Sequence, residues 1–212
     1  MRSDLGFCHL SGRTVVLDER QDRYFCLGSD ATALLHQATE GQSLTDAHVA
    51  RLSKLGFITD STGTDKPLSQ TLVAVPEDSL VEQRRLQGIS LVAAPDVSIA
   101  LVRAHWLLRY KRFGGTLAFW RDRKAPSRQS QSNLKDWVQE FHAIRRLLPI
   151  KPICLTDSLA LLHFLWRRGV RPQLVLGVRL EPFAAHCWLQ TDTLILNESV
   201  DHARAFRPIQ VV

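Results

Sequence analysis

Pro152-Ile153-Cys154-Leu155-Thr156-Asp157-Ser158-Leu159-Ala160-Leu161 opens the last third of a 212-residue chain and sets how the rest is read. Leu155, Leu159, Leu162 and Trp166 recur at i, i+4, i+7 and i+11, one apolar stripe at the helical period. Pro152 before the stripe and Gly169 after Arg167-Arg168 are start and stop signals. Cys154 therefore falls in or beside the first turn, where unpaired N–H groups and the positive end of the helix dipole favour a thiolate. Asp157, one turn on, opposes that shift. A buried free cysteine is also a common packing residue, so the helix alone does not make Cys154 a nucleophile.

The strands that follow add the missing groups. Leu174 to Arg179 is β-rich, Glu181-Pro182 interrupts it, and Ala184 to Gln190 alternates. On that alternation His186, Trp188 and Gln190 share one face, and Ala185, Cys187 and Leu189 share the other. Thr191-Asp192-Thr193 is a turn signal and Leu194 to Glu198 a second strand. A three-residue loop pairs Gln190 with Leu194 and sets His186 opposite Glu198. A two-residue loop pairs Gln190 with Thr193 and sets Asn197 there instead. Carboxylates and amides both orient a catalytic histidine. A helix-borne cysteine, a strand histidine and then an acid or amide is the part order of a papain- or transglutaminase-like site.

Cys154-Leu155 with Ser158-Leu159-Ala160-Leu161 resembles the leader peptidases of lasso-peptide biosynthesis, the transglutaminase-like cysteine proteases called B proteins. The likeness extends to Arg167-Arg168-Gly169, Gly177-Val178-Arg179, Pro182-Phe183, His186-Cys187-Trp188, Asn197 and the end of the chain through Ala205-Phe206 and Pro208-Ile209-Gln210-Val211-Val212. It implies a catalytic triad of Cys154, His186 and Glu198, with Glu198 standing where the family usually has aspartate. It also implies two partners: the precursor's leader peptide, and an ATP-dependent lasso cyclase similar to asparagine synthetase. No Walker-type glycine-rich loop occurs, so ATP use belongs to that partner.

Residues 1 to about 60 read as a separate unit. Gly6 to Leu10, Arg13 to Leu17 and Arg23 to Leu27 are three short strands. A helix capped by Ser29 or Asp30 runs to Thr39 and ends at Gly41. A second, capped by Thr45 or Asp46, turns Val49, Leu52 and Leu55 inward and stops at Gly56. Three strands and then helices suggest a winged-helix-like module, similar to the recognition element of ribosomal-peptide pathways. That resemblance implies leader binding as an added strand at the third strand's edge, with Tyr24, Phe25, Leu27, Leu52 and Leu55 as the contact positions. The fold class is thus α+β: a recognition domain over residues 1–66, a connector over 67–98 and a protease domain over 99–212. Within these, Ser61 to Asp65 reads as linker and Pro76-Glu77-Asp78-Ser79 as a helix start leading to Gln87. A helix from Ser98 stops at Gly114-Gly115, Leu117 to Trp120 form a strand, Ala125 to Ser130 a loop, and Asn133 to Leu148 an amphipathic helix.

Composition and charge exclude other classes. The opening residues carry no signal-peptide core and the longest apolar tract, Ile89 to Val102, is broken by Pro95 and Asp96. Cytoplasmic residence without a membrane contact is expected. Cys8, Cys26, Cys154 and Cys187 read as free thiols, and the absence of CxxC gives no call for zinc or any other cofactor. Between Ile99 and Leu148 eleven Lys/Arg face only three acids, in a chain of net charge +6. A basic patch beside a winged-helix-like module invites a DNA-binding reading. The N-terminal unit is slightly acidic, however, and has no basic recognition helix, so nucleic acid is not expected. The leading function is a cysteine peptidase that removes a leader. Its alternatives are an acyltransferase using the same site, and a non-catalytic peptide- or DNA-binding adaptor.

Overall fold

The computed structural model describes residues 4–40, 42–57, 73–83, 92–123 and 133–212. Strands β1 (Leu5–Leu10), β2 (Arg13–Asp18) and β3 (Arg23–Leu27) form an antiparallel sheet in that order. The β1–β2 turn sets Ser11 and Gly12 both at positive φ, 50° and 73°, the tight hairpin geometry that matches strand twist. Helices α1 (Ser29–Thr39) and α2 (Asp46–Lys54) follow, the second capped by Thr45, whose hydroxyl accepts the His48 N–H. Period-two alternation then divides the sheet between two cores. Leu5, Phe7, Val16 and Leu27 pack under Leu34, Leu35 and Leu52 of the helices, while Cys8, Val15 and Leu17 face the main core. Leu52 points inward as expected, but Val49 and Leu55 are each 40% exposed. A nine-residue helix over so small a core buries one narrow strip only.

The larger part is a five-stranded sheet, ordered β4-β7-β6-β5-β8, with three helices against one face and a short one against the other. Its strands are β4 (Asp78–Ser79), β5 (Gln173–Leu180), β6 (Phe183–Gln190), β7 (Leu194–Ile195) and β8 (Arg207–Val211). The helices are α3 (Ala94–Arg121), α4 (Leu134–Leu147), α5 (Cys154–Trp166) and the short α6 (Val200–Arg204). Helix α5 has Ser158 to Leu165 all buried, because α3 and α4 cover one side of it and β5–β6 the other. The opposite face of the sheet carries Val175, Trp188 and Ile195 against Val200, Ala203 and Phe206. Among the described residues no helix is long and apolar enough to cross a membrane, and all four cysteines are free.

Three local expectations are corrected. Gly114-Gly115 do not end α3: the backbone breaks at Arg112 (φ 58°) and helix resumes through Leu117 to Trp120, the tract expected as a strand. Phe113, Leu117 and Trp120 reach the main core at helical spacing, and that burial outweighs the glycines. Pro76 to Ser79 start no helix. Asp78 and Ser79 pair in parallel with Leu194 and Ile195, so the 67–98 tract lends an edge strand to the larger sheet, and from Ala94 it already belongs to α3. The third correction is the register of β6 on β7: Gln190 pairs with Ile195, one step beyond the three-residue loop. The Thr191 hydroxyl accepts the Leu194 N–H at 3.1 Å and closes a wider turn. The Ser61–Asp65 linker, Gln87, Gly41 and the Ala125–Ser130 loop lie outside the described residues.

The two parts meet at Glu19. Its carboxylate, almost wholly buried, takes Arg121 of α3 at 2.7 Å and Gln210 of β8. Beside it Gly114 lies so close to the Glu19 carbonyl that an added Cβ would strike backbone. Gly114→Ala should therefore lower stability by about 1–3 kcal/mol, as overpacking does. Urea denaturation is the measurement, and an unchanged midpoint would show that the junction has room to give.

Candidate active site

Cys154 is the first residue of α5, entered from an extended Ile153 (φ −133°, ψ 119°), with no side chain capping the exposed N–H groups. The thiol therefore meets the positive end of a 13-residue helix. The opposing charge of Asp157 is engaged: Arg145 of α4, buried, donates its Nε–H to Asp157 Oδ1 at 2.8 Å. Both remaining guanidinium nitrogens of Arg145 donate to the Ile150 carbonyl at 3.0 Å, which fixes the approach to Cys154. Arg145 was not singled out in the sequence. An arginine on the apolar side of α4 was the available signal.

The other two groups come from the sheet and the segment after β7. His186 Nε2 and Glu198 Oε2 are 2.8 Å apart, and His202 Nδ1 lies 3.0 Å from the same oxygen. Glu198 Oε1 accepts the Ser199 N–H at 2.9 Å. The Glu198 carbonyl accepts the Ser79 hydroxyl at 2.6 Å. With Nε2 turned to the carboxylate, Nδ1 is the nitrogen left for Cys154, with which His186 is hydrogen-bonded. The ring sits between Trp188, near-parallel at 6.3 Å, and Phe206 at 5.2 Å. Gly177 faces His186 across the β5–β6 ladder, and a Cβ there would stand 2.8 Å from Trp188 and 2.9 Å from Phe206.

The carboxylate rather than the Asn197 amide meets the imidazole, although not by the ladder. By register His186 stands opposite neither residue. The strand ends at Ile195, and the chain turns Glu198 back toward the ring. Asn197 does something else. Its Oδ1 accepts the Leu189 N–H at 2.7 Å and its Nδ2 donates to Ser158 Oγ at 2.8 Å, tying β6 to α5.

Cys187 is a second correction. Alternation puts it on the face away from His186, and it does face the main core, buried. That face is the one α5 packs on, so the Cys187 thiol meets both Cys154 and the Ser158 hydroxyl, the latter at 3.8 Å. Hydrogen bonds from Cys187 and His186 hold the Cys154 pKa down to about 4 against the desolvation that would raise it. Cys187 is pushed the other way, first by that same hydrogen bond and then by burial. Burial disfavours the His186 cation, but its bonds to Cys154 and Glu198 prevail and raise it to about 9. Glu198 is lowered to about 2: burial opposes ionisation, and the hydrogen bonds from His186, His202 and Ser199 outweigh it. The resting site is a thiolate, an imidazolium and a carboxylate.

The five peptide-contact positions divide. Leu27 and Leu52 are core residues of the N-terminal unit and Phe25 packs against them. Leu55 is exposed. Tyr24 turns to the main core, its ring 5.8 Å from Phe183, and its phenol pKa is raised by burial and by the nearby Cys187 and Cys154. The N-terminal unit thus supplies a side chain beside the thiols. Among the described residues β3 pairs with β2 alone, leaving its outer edge open.

This arrangement sits in a segment with a family signature: the model of the transglutaminase-like superfamily matches residues 98–211. The chain belongs to that superfamily. Its match runs from within α3 to the end of β8, the whole of the Cys154–His186–Glu198 constellation included. Over 62 residues the chain is also 34% identical to the microcin J25-processing protein McjB of Escherichia coli, a match covering 29% of this chain and 30% of that one. The aligned part spans under a third of that relative's length. No solved structure gives a significant match.

Iodoacetamide tests the charge state. As pH falls through about 4, Cys154 gains its proton and alkylation should collapse. From about pH 5 upward the rate should be nearly flat, since the thiolate is already formed. Exposed Cys26 is the internal comparison, read by peptide mapping. A Cys154 rate still climbing steeply between about pH 7 and 9 would mean an ordinary thiol.

Proposed function

We propose that the protein is a cysteine peptidase that removes the leader of a ribosomally made lasso-peptide precursor. The observation carrying this reading is the 2.8 Å His186–Glu198 bond beside a helix-terminal Cys154 in a transglutaminase-like chain. The partial likeness to a microcin-processing protein supports the substrate class. In the first step the Cys154 thiolate adds to the scissile carbonyl, and the Cys154 backbone N–H is a donor for the oxyanion. The C–N bond then breaks. The amine leaves with the proton of His186, and a thioester remains on Cys154. Water attacks the thioester while His186 takes its proton, the C–S bond breaks, and the thiolate returns. Glu198 keeps its charge throughout and holds Nε2, so that Nδ1 carries the proton toward the substrate.

Residues 1–66 act as the winged-helix-like recognition domain and 99–212 as protease, with 67–98 joining them and lending β4 and the start of α3 to the protease part. The open edge of β3 supports leader binding as an added strand, and of the five contact positions Leu55 is the exposed one. An asparagine-synthetase-like cyclase takes the cleaved product. The whole acts in the cytoplasm, on peptide rather than nucleic acid.

Incubation with a precursor peptide and mass spectrometry of the products tests the reading, a free carboxylate at the cut marking hydrolysis. Cys154→Ala should abolish cleavage while leaving leader affinity intact. Glu198→Gln keeps an acceptor oxygen but loses the charge behind the imidazolium, and should slow single turnover by about tenfold or more. Undiminished cleavage by Cys154→Ala would overturn the mechanism.

Leader recognition has its own test. Leu55→Asp, at an exposed position, should raise the leader Kd about tenfold, or about 1.4 kcal/mol, with the rate at saturating peptide unchanged. Calorimetry reads the affinity. Equal affinity of the variant would move the leader off this edge.

A further inference from the structure

One group in the site has no part in the steps above: His202, on the first turn of α6. Its Nδ1 shares Glu198 Oε2 with His186 Nε2, and the three ligand atoms lie within 4.8 Å of one another. We infer that His186, Glu198 and His202 form a binding site for one transition-metal dication, zinc foremost, whose occupation blocks the peptidase.

The donor set is the first argument. Two imidazoles and a carboxylate are ligands zinc prefers, and three protein ligands leave a fourth position for water. Geometry is the second. Zinc bonds of about 2.0–2.2 Å in a tetrahedral site set neighbouring ligand atoms roughly 3.2–3.5 Å apart. The carboxylate oxygen already stands 2.8 and 3.0 Å from the two nitrogens, and all three atoms lie within 4.8 Å, so an ion widens the two oxygen contacts by a few tenths of an ångström and draws the nitrogens in around it. The third is placement, since hydrogen bonds hold the main chain that carries Glu198 and His202 and aromatic rings flank His186. Ser79 and Ser199 fix Glu198, and Trp188 and Phe206 flank His186. The Ser199 hydroxyl caps α6 by accepting the His202 N–H at 3.3 Å. The fourth is access: the His202 side chain is 47% exposed against 14% for His186, so the cluster opens to solvent on the His202 side.

Inhibition follows from what the metal displaces, and this half rests on the peptidase reading. A dication on Nε2 leaves the His186 ring one proton, on Nδ1. Giving that proton to the leaving amine would then require an imidazolate, and the C–N bond would not break at a useful rate. The ion also takes the carboxylate away from the imidazole.

The test is cobalt(II) titration of the full-length protein, with zinc as competitor. Tetrahedral nitrogen–oxygen ligation gives visible absorption bands, whereas thiolate ligation adds a near-ultraviolet charge-transfer band. Wild type and Cys154→Ala should each take one equivalent with the visible bands alone and matching affinity. His202→Ala should bind more weakly by roughly tenfold or more, the scale on which even groups behind the ligands act. Relative to its own metal-free rate, His202→Ala should also keep cleaving at zinc concentrations that stop the wild type. Loss of the metal in Cys154→Ala, or full retention in His202→Ala, would overturn the site. If the wild type binds as described but cleaves no precursor, the metal site stands and the peptidase reading fails.

Discussion

The Asn197 side chain is the brace on which the site depends. Its amide is spent on two partners at once, the Leu189 backbone N–H of β6 and the Ser158 hydroxyl of α5. Those bonds fix how far along β6 the helix sits, and so how the Cys154 sulfur meets the imidazole. They also explain why β7 is two residues long: the Asn197 carbonyl oxygen replaces a backbone acceptor, and the main chain is released to turn Glu198 inward. The amide is half-buried, but its partners Leu189 and Ser158 are wholly buried, and a hydrogen bond is worth most where the partner has no water to fall back on. The neighbouring carboxylate can then be the group that faces the histidine, because the amide is already committed.

Charge in the molecule is arranged with the same economy. Helix dipole and imidazolium favour the thiolate, and Asp157, which would oppose it, is taken by Arg145. Arg145 anchors the Ile150 carbonyl as well, so one guanidinium settles both the electrostatics and the path of the loop. The basic surplus between Ile99 and Leu148 is therefore not all solvated surface. Arg121 reaches the buried Glu19, and Arg145 the helix start.

The elements legible in the sequence were those whose local signals and tertiary needs agree. Helix α5 announces itself by its apolar spacing, Pro152 and Gly169, the last at φ 85° as a left-handed stop. The β5–β6 hairpin follows its alternation, with Trp188 on one face and Leu189 on the other. Residue type and order marked Cys154 and His186 as candidates and left Glu198 and Asn197 open, with the family resemblance favouring Glu198. Where local and tertiary demands diverge, reading failed. Gly114-Gly115 look like a helix end, but Phe113 and Leu117 are needed in the core. Pro76 to Ser79 look like a helix start, but the Ser79 hydroxyl serves a carbonyl 119 residues away. Cys187 was assigned to the correct face and the wrong company, because alternation gives the direction of a side chain and not what lies across from it. His202 carries no motif at all; a four-residue step from Glu198 on a short helix has no meaning until the fold supplies one.

Glu19 gives the molecule a property that its two-part layout hides. A buried carboxylate whose partners, Arg121 and Gln210, both belong to the other part cannot be left behind without cost, since an unpaired buried charge destabilises by about 3–5 kcal/mol. Tyr24 and Phe183 meet across the same divide. The two parts are consequently not freely exchangeable modules. A lineage that separated them onto two chains would have to keep Glu19, Arg121 and Gln210 evolving as a set, and the halves would behave as obligate subunits of one enzyme.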